Sequence, residues 1–312
     1  MGEGIMEVLK NYPTLDMLAQ HMLRVWPEHH KYLTARFKSD SVDFLKRTEE
    51  LASCAVQLMH DDVTGYCQDY RWMCEQFIEE QIYFQRHGNY RHSSFEAVNK
   101  EIYANQSYMQ RYVRGILVSQ IFWANHAQAI DLFRTEFLTT IAQGADYLEI
   151  GPGHGLFFYF ASRMATIASL TGWDVSESSI AETQQAMQLM KVAPERYRLI
   201  RQDIFDASSP LEQFDAVIIS EVLEHLEAPD KALQSLHRVM RSGARIFINA
   251  PVNSPAPDHI YLWRTTDALA KQVQECGFTI EQAHYLPLTG RSLEYCRKYN
   301  LDISCIFIAR KP

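Results

Sequence analysis

The sequence has no surplus of positive charge. Lysine and arginine number 30 against 38 aspartates and glutamates in 312 residues, a formal charge of −8. Phosphate backbones need clustered cations, so the balance argues against nucleic acid and against an anionic membrane surface as general partners. A long apolar run is also missing: the most apolar helical stretch, residues 115–124, is about half of what spans a bilayer. No CxxC pair occurs. Cys54, Cys67, Cys74, Cys276, Cys296 and Cys305 sit mostly in apolar or helix-like stretches, which predicts buried, reduced thiols and a cytoplasmic location. The start carries Glu3 and Glu7 and lacks a basic segment followed by an apolar one, so no signal peptide is expected. With 47% hydrophobic and 22% charged residues, the chain reads as a globular protein able to bury a sizeable core.

Breakers are scarce in the first half. No proline lies between Pro27 and Pro152, and before Gly151 only Gly65, Gly88, Gly115 and Gly144 interrupt that stretch. Such a run favours helix. Phe44, Leu51, Ala55 and Leu58 follow helical spacing, with Asp40 as the expected N-cap. Ser93 to Glu96 reads as a capping box. Tyr108, Tyr112, Ile116 and Trp123 share one helical face. Residues 1–140 are therefore expected to form an all-α N-terminal domain of about five to seven helices.

After Gly144 the pattern changes to short β-rich runs alternating with helical segments. Strands are predicted at 146–150, 169–175, 197–204, 214–220, 244–250, 278–286 and 301–310. Helices are expected from about Leu156, from Ser176 or Ser178, and around 229–241 and 267–275. Alternation of this kind predicts an α/β fold: a seven-stranded, mostly parallel sheet over residues 141–312 with helices on both faces. The last two strands are separated by little, which suits antiparallel pairing at the edge.

The first of these strands ends in "DYLEIGPGHG", residues 146–155. In an open α/β sheet, ligands bind beyond the carboxyl ends of the strands. Gly151, Gly153 and Gly155 let the backbone turn tightly and approach a ligand, and the following helix turns its N-terminus to the same place. A dinucleotide loop needs a third small residue at position 156, where close helix–strand packing is required. That position holds Leu156, so the dinucleotide fingerprint fails.

The observed order, Glu149-x-Gly-x-Gly-x-Gly, resembles the first motif of class I S-adenosylmethionine (SAM)-dependent methyltransferases. Downstream residues extend the resemblance. Asp174 ends the second strand, 23 residues after Gly151; Asp203 and Ile204 follow "LIRQ"; "FDAVIISEVLEHL" (214–226) and "RSGARIFINAP" (241–251) come next in order. The resemblance covers residues 140–312 and implies a Rossmann-like fold that binds SAM. It implies that Glu149 and the three glycines shape the cofactor loop, and that Asp174 accepts both ribose hydroxyls. It further implies that Asp203 meets the adenine amino group, that Ile204 packs on the ring, and that Ser220 and Glu221 flank the site.

Methyl transfer from SAM needs positioning and exclusion of water more than covalent machinery. His259, in the loop after the fifth strand, is the expected general base or acceptor-orienting residue, with Glu224 the other catalytic candidate. "ExxEH" also sets Glu221, Glu224 and His225 close together, and with His259 they offer two carboxylates and two imidazoles for a divalent metal. The segment is similar here to the ubiquinone-pathway O-methyltransferases and the small-RNA 2′-O-methyltransferases, known for metal use through such a motif; relatives that carry it without metal leave a local structural role for His225 open. The family often covers its cofactor with N-terminal helices. "YANQSYMQRYVRG" (103–115) then supplies Tyr103, Tyr108, Arg111 and Tyr112 to a substrate pocket, or else its aromatics are ordinary core. His87, Arg91 and His92 flank a turn or lid hinge at Gly88, and the helices leave room for a homodimer contact.

The combined expectation is a cytoplasmic SAM-dependent methyltransferase acting on O or N of a small specialised-metabolite or amino-acid-like acceptor, with a divalent metal left open. Two alternatives stand beside it: a SAM-consuming intramolecular lyase on the same fold, and a non-catalytic SAM-binding or partner-binding subunit.

Overall fold

The computed structural model describes residues 7–206 and 211–312; Glu3 lies outside them. Helices α1 (Pro13–Val25), α2 (His30–Phe37), α3 (Val42–Met59), α4 (Val63–His87), α5 (Phe95–Val98), α6 (Gln106–Phe122) and α7 (Ala124–Leu132) precede the first strand. The cap of α3 is Ser41, whose hydroxyl accepts from the Phe44 amide at 3.2 Å. Asp40, the expected cap, is turned instead to the buried Arg36 guanidinium, which would otherwise be an unpaired charge in the core. The buried stripe of α3 is Leu45, Leu51, Ala52, Ala55 and Leu58, with Phe44 half-buried. Ser94, not Ser93, caps α5, accepting from the Ala97 amide; the Glu227 carboxylate holds the Phe95 amide at 2.9 Å and so fixes the helix start one residue later. The 25-residue α4 stops at Gly88 in the left-handed conformation, an ordinary glycine C-cap.

Strands β1 (Ala145–Ile150), β2 (Ile167–Asp174), β3 (Arg198–Arg201), β4 (Phe214–Ser220), β5 (Met240–Val252), β6 (Thr279–Pro287) and β7 (Ile303–Arg310) form one sheet in the order β3-β2-β1-β4-β5-β7-β6. Pairings from β3 across to β5 are parallel, whereas β7 runs antiparallel to both neighbours. Residues 216–219 of β4 and 246–248 of β5 read as unbroken apolar runs because both faces are covered. The third strand is shorter than expected: it is an edge strand with mostly exposed side chains, and Asp203 and Ile204 fall in the turn after it.

Helices α8 (Leu156–Ser162), α9 (Glu177–Leu189), α10 (Pro229–Val239), α11 (Thr266–Glu275) and α12 (Leu293–Tyr299) connect the strands. The N-terminal helices share a core with one sheet face. Phe133 meets Phe157 at 5.0 Å and Phe247 at 5.5 Å between ring centroids, and Phe137 meets Phe247 at 5.7 Å. All four rings are buried, each contributing about 1.5–3 kcal/mol of apolar burial. The opposite face packs on α10 and α11 through Leu233, Leu236, Leu269 and Val273. No helix among the described residues is long and apolar enough to cross a membrane.

Candidate active site

The chain leaves β1, forms β2 and β3 on one side, then returns to place β4 on the other side of β1. Such a reversal opens a crevice at the carboxyl ends of β1 and β4. The glycine loop fills one wall. Gly151 (φ +63°) and Gly155 (φ +78°) both adopt the left-handed conformation. A Cβ on Gly151 would stand 2.9 Å from Val222, and one on Gly155 would stand 3.0 Å from Met187. Between them His154 accepts the Leu156 amide on Nδ1 at 3.2 Å, at the start of α8. Burial lowers the His154 pKa to about 4, so the ring is neutral.

A cavity of about 210 Å³ runs from this loop to the start of β7. Glu149, Gly151, Gly153, Ser220 and Glu221 line it on the sheet side; Tyr112, Ile116, Trp123 and His126 roof it from the helices. Glu149 is buried, with Tyr147 donating to it at 3.1 Å, and burial pushes its carboxyl up to about 8. Glu221 sits at φ +52°, and burial together with the neighbouring Asp302 charge pushes its carboxyl up to about 8.

The second cluster forms where the turn after β4 meets the loop after β5. The Ile260 and Tyr261 amides both donate to the Glu224 carbonyl at 3.0 Å, clamping the two segments together. Glu224, His225 and His259 then present one ligand atom each within 4.8 Å of one another. His259 donates from Nδ1 to the Ser254 carbonyl at 2.6 Å, and His225 Nδ1 lies 3.0 Å from the Asp258 carbonyl. A carbonyl only accepts, so both rings carry a proton on Nδ1 and turn Nε2 toward Glu224. Those Nε2 atoms lie 4.0 Å and 3.8 Å from Glu224 Oε1. Neither Glu224 oxygen has a hydrogen-bond partner. Burial, then the adjacent Glu221, raises the Glu224 pKa; burial, then His225, lowers that of His259 to about 4. A cation entering between these three atoms would displace the proton that the raised pKa leaves on Glu224. Glu221 is a neighbour of this trio rather than a member.

The helices fix the cluster. Tyr112 donates to Asp258 Oδ1 at 2.8 Å and Tyr103 to Oδ2 at 3.4 Å; Tyr103 Oη also lies 3.3 Å from His225 Nδ1. Tyr90 accepts the Ser254 amide at 2.9 Å. Burial, then the Asp258 charge, raises the pKa of Tyr103 and of Tyr112, so both phenols stay protonated and act as donors.

The expected site residues divide into those the fold gathers and those it does not. Glu149, Gly151, Gly153, Ser220, Glu221, Tyr112, His225 and His259 line the cavity, with Gly155 beside it and Glu224 beneath. Asp174 ends β2 and accepts from the Ser176 amide at 2.8 Å. Asp203 accepts from the Phe205 amide at 2.9 Å, and Ile204 is buried in the core cluster with Trp173. Tyr108 stacks on Tyr112 and meets Trp72 edge-on. Arg111 is bound to Asp69 at 2.9 Å and lies over Trp72, facing a separate surface groove. At the hinge expected near Gly88, Arg91 is bound to Glu80 at 2.8 Å. Sequence reasoning did not select Tyr90, His126, His154, Asn249 or Asp302. Only His154, inside the glycine motif, had a local signal.

A glycine-lined crevice at the switch point of a Rossmann-like sheet, roofed by helices, defines the class: a SAM-dependent methyltransferase fold. Residues 148–248 match the family described as "Methyltransferase domain", and through this segment the chain is similar to the class I SAM-dependent methyltransferases. It is similar to the ubiquinone biosynthesis O-methyltransferases of Pseudomonas syringae pv. tomato and Pseudomonas entomophila, 32% and 31% identical over 113 residues. Each match covers 36% of this chain and 47% of the relative, so the chain spans about half the length of the curated relatives it matches. Among solved structures, a protein from Galdieria sulphuraria described as a candidate sarcosine dimethylglycine methyltransferase aligns with a TM-score of 0.50 and 12% identity, over 60% of this chain and 86% of that one; the likeness is one of fold.

Proposed function

We propose that this protein transfers the methyl group of SAM to a hydroxyl or amine of a small acceptor enclosed under the N-terminal helices, with a divalent cation held by Glu224, His225 and His259. SAM supplies an electrophilic methyl carbon, so the chain's task is to bind, orient and exclude water. The glycine loop and Glu149 form the cofactor cradle, where a side chain at position 151 or 155 would intrude. Asp174 and Asp203 stand at the ribose and adenine end. The acceptor lies between Ser220, His259 and the aromatic roof of Tyr112 and Trp123.

The observation that carries the cation is the donor set itself. Two imidazole nitrogens and a buried carboxyl group converge on one point, and neither carboxyl oxygen has a hydrogen-bond partner, an arrangement that is costly unless a cation or a proton fills it. Mixed nitrogen and oxygen ligation suits a borderline first-row ion such as Mn²⁺, Co²⁺ or Zn²⁺. When bound, the ion supplies Lewis acidity that lowers the pKa of an acceptor hydroxyl. Asp258, held by Tyr103 and Tyr112, fixes the segment that orients His225, a second layer of the kind that sets ligand geometry. The six free cysteines, five of them buried, fit a reducing, cytoplasmic compartment.

The test is calorimetry with S-adenosylhomocysteine, then turnover with SAM and a panel of catechols, phenols and amines, before and after chelation. Binding of S-adenosylhomocysteine is expected, with turnover falling about tenfold or more on metal removal or in Glu224→Gln. Methylthioadenosine formed from SAM without any acceptor would turn the reading to a lyase. No heat with S-adenosylhomocysteine would remove the reading altogether, and chelation without effect would remove the cation.

A further inference from the structure

The end of the cavity farthest from the glycine loop has its own chemistry. Strand β7 runs antiparallel, so its start lies at the same sheet edge as the carboxyl ends of the parallel strands. That reversal brings Asp302 and Ser304 to the cavity, beside Asn249 of β5. In the β5–β7 register Ser304 is opposite Pro251 and Ile306 opposite Asn249, so Asn249 and Ser304 share the sheet face that looks toward the helices. Asn125, buried in α7, donates to Ser304 Oγ at 2.9 Å, which leaves that hydroxyl oriented by the layer above.

The group is rich in unused acceptors. Asn249 is 3% exposed and its Nδ2 donates to Ser220 at 2.9 Å, yet its Oδ1 has no partner. Asp302 Oδ1 is likewise buried and unpartnered. Buried carbonyl and carboxylate oxygens without a donor are costly, and here they line the same void. Among the described residues that line the cavity are Glu149, Glu221, Asp258 and Asp302, and none is lysine or arginine. An acceptor carrying a carboxylate or phosphate at this end would meet like charge and unpartnered acceptor oxygens, with hydroxyls such as that of Ser304 as donors but no cation among the described lining residues.

We infer that Asn249, Asp302 and Ser304 form a subsite for a protonated amine, so that the acceptor is an amine-bearing small molecule. This rests on the methyltransferase reading of the same cavity. An ammonium offers three donors and no acceptor, the complement of what the subsite presents. The ammonium of SAM itself is a poor occupant. Strand β7 is two strands beyond β4, and β4 itself neighbours the glycine-loop strand β1. At about 4.8 Å per strand, the subsite stands well to the acceptor side of the cofactor loop.

The test is a matched pair of probes: tyramine and 4-ethylphenol, of similar shape and differing in the ammonium, titrated calorimetrically into protein saturated with S-adenosylhomocysteine. Tyramine is expected to bind on the order of tenfold or more tighter than 4-ethylphenol. Asp302→Asn should abolish that preference while leaving 4-ethylphenol and S-adenosylhomocysteine binding in place. Its melting temperature and cofactor affinity check the fold, and Ser304→Ala gives a second, milder reading of the same preference. Equal affinities, no tyramine heat at millimolar concentration, or a preference that survives Asp302→Asn would each overturn the inference. Failure of S-adenosylhomocysteine to bind in the first titration would instead strike the methyltransferase reading on which it rests.

Discussion

Replacing Gly151 by alanine tests why the loop after β1 is glycine at all. Two costs are separable. At φ +63° an L-residue meets its own carbonyl, worth about 1–2 kcal/mol. The new Cβ would also stand 2.9 Å from Val222 Cγ2, and overpacking of a close contact costs about 1–3 kcal/mol. Gly151→Ala is therefore expected to lose roughly 2–5 kcal/mol in total. Val222 follows Glu221, so a displaced Val222 also shifts the cavity wall, and S-adenosylhomocysteine affinity should fall with stability. The double variant Gly151→Ala, Val222→Ala removes the clash and keeps the backbone cost. Urea unfolding of the four proteins, followed by tryptophan fluorescence, measures the cycle. An interaction energy of about 1–3 kcal/mol in favour of the double variant is expected. If Gly151→Ala lies within about 0.5 kcal/mol of the parent, the ordinary range for neutral surface changes, or if Val222→Ala restores nothing, the close-approach argument is wrong.

Two further outcomes follow from the same geometry. Burial raises the Glu149 carboxyl to about 8 and Asp302 to about 7, so the folded state holds protons the unfolded chain has lost; their stabilisation is present at low pH and lost as pH rises to those values. Buried His29, His126 and His154 are lowered to about 4, 3 and 4 from 6.5, so their contribution is present above pH 6.5 and lost as pH falls toward 4. Above pH 6.5 the histidines contribute no slope, and the cofactor-free protein should lose stability up to pH 8 in denaturant titrations. Glu149→Gln should flatten that fall, and an unchanged slope would refute the assignment. Tyr112→Phe removes the donor to Asp258, a bond to a charged group worth about 1.5–3 kcal/mol; hydrogen exchange should then accelerate across residues 253–260, whereas uniform protection would show that the helices do not hold this loop.

Local pattern was enough for much of the fold. The sequence pattern predicts the fourth strand over 214–220, and it is found as Phe214–Ser220, because a strand buried on both faces carries a short apolar run. The glycine loop, Ser176 as a cap of α9, and the change from helices to alternating strands after Gly144 are also local properties of spacing and turn chemistry. Errors fell where a distant residue decided a local choice. Asp40 gave up its cap to neutralise buried Arg36, Glu227 moved the start of α5 by one residue, and Asp69 drew Arg111 away from the cavity.

What the sequence by itself determined was the sheet, its glycine crevice and the residue types gathered at its edge, since each rests on periodicity within a dozen positions. Only the tertiary structure decided that Tyr112 grips Asp258 across 146 positions, that both imidazoles turn Nε2 toward Glu224, and that a reversed β7 carries Asp302 into the cavity. Those contacts join segments that carry no mark of one another, because burial and hydrogen bonding between remote elements arise only when the chain has closed around them.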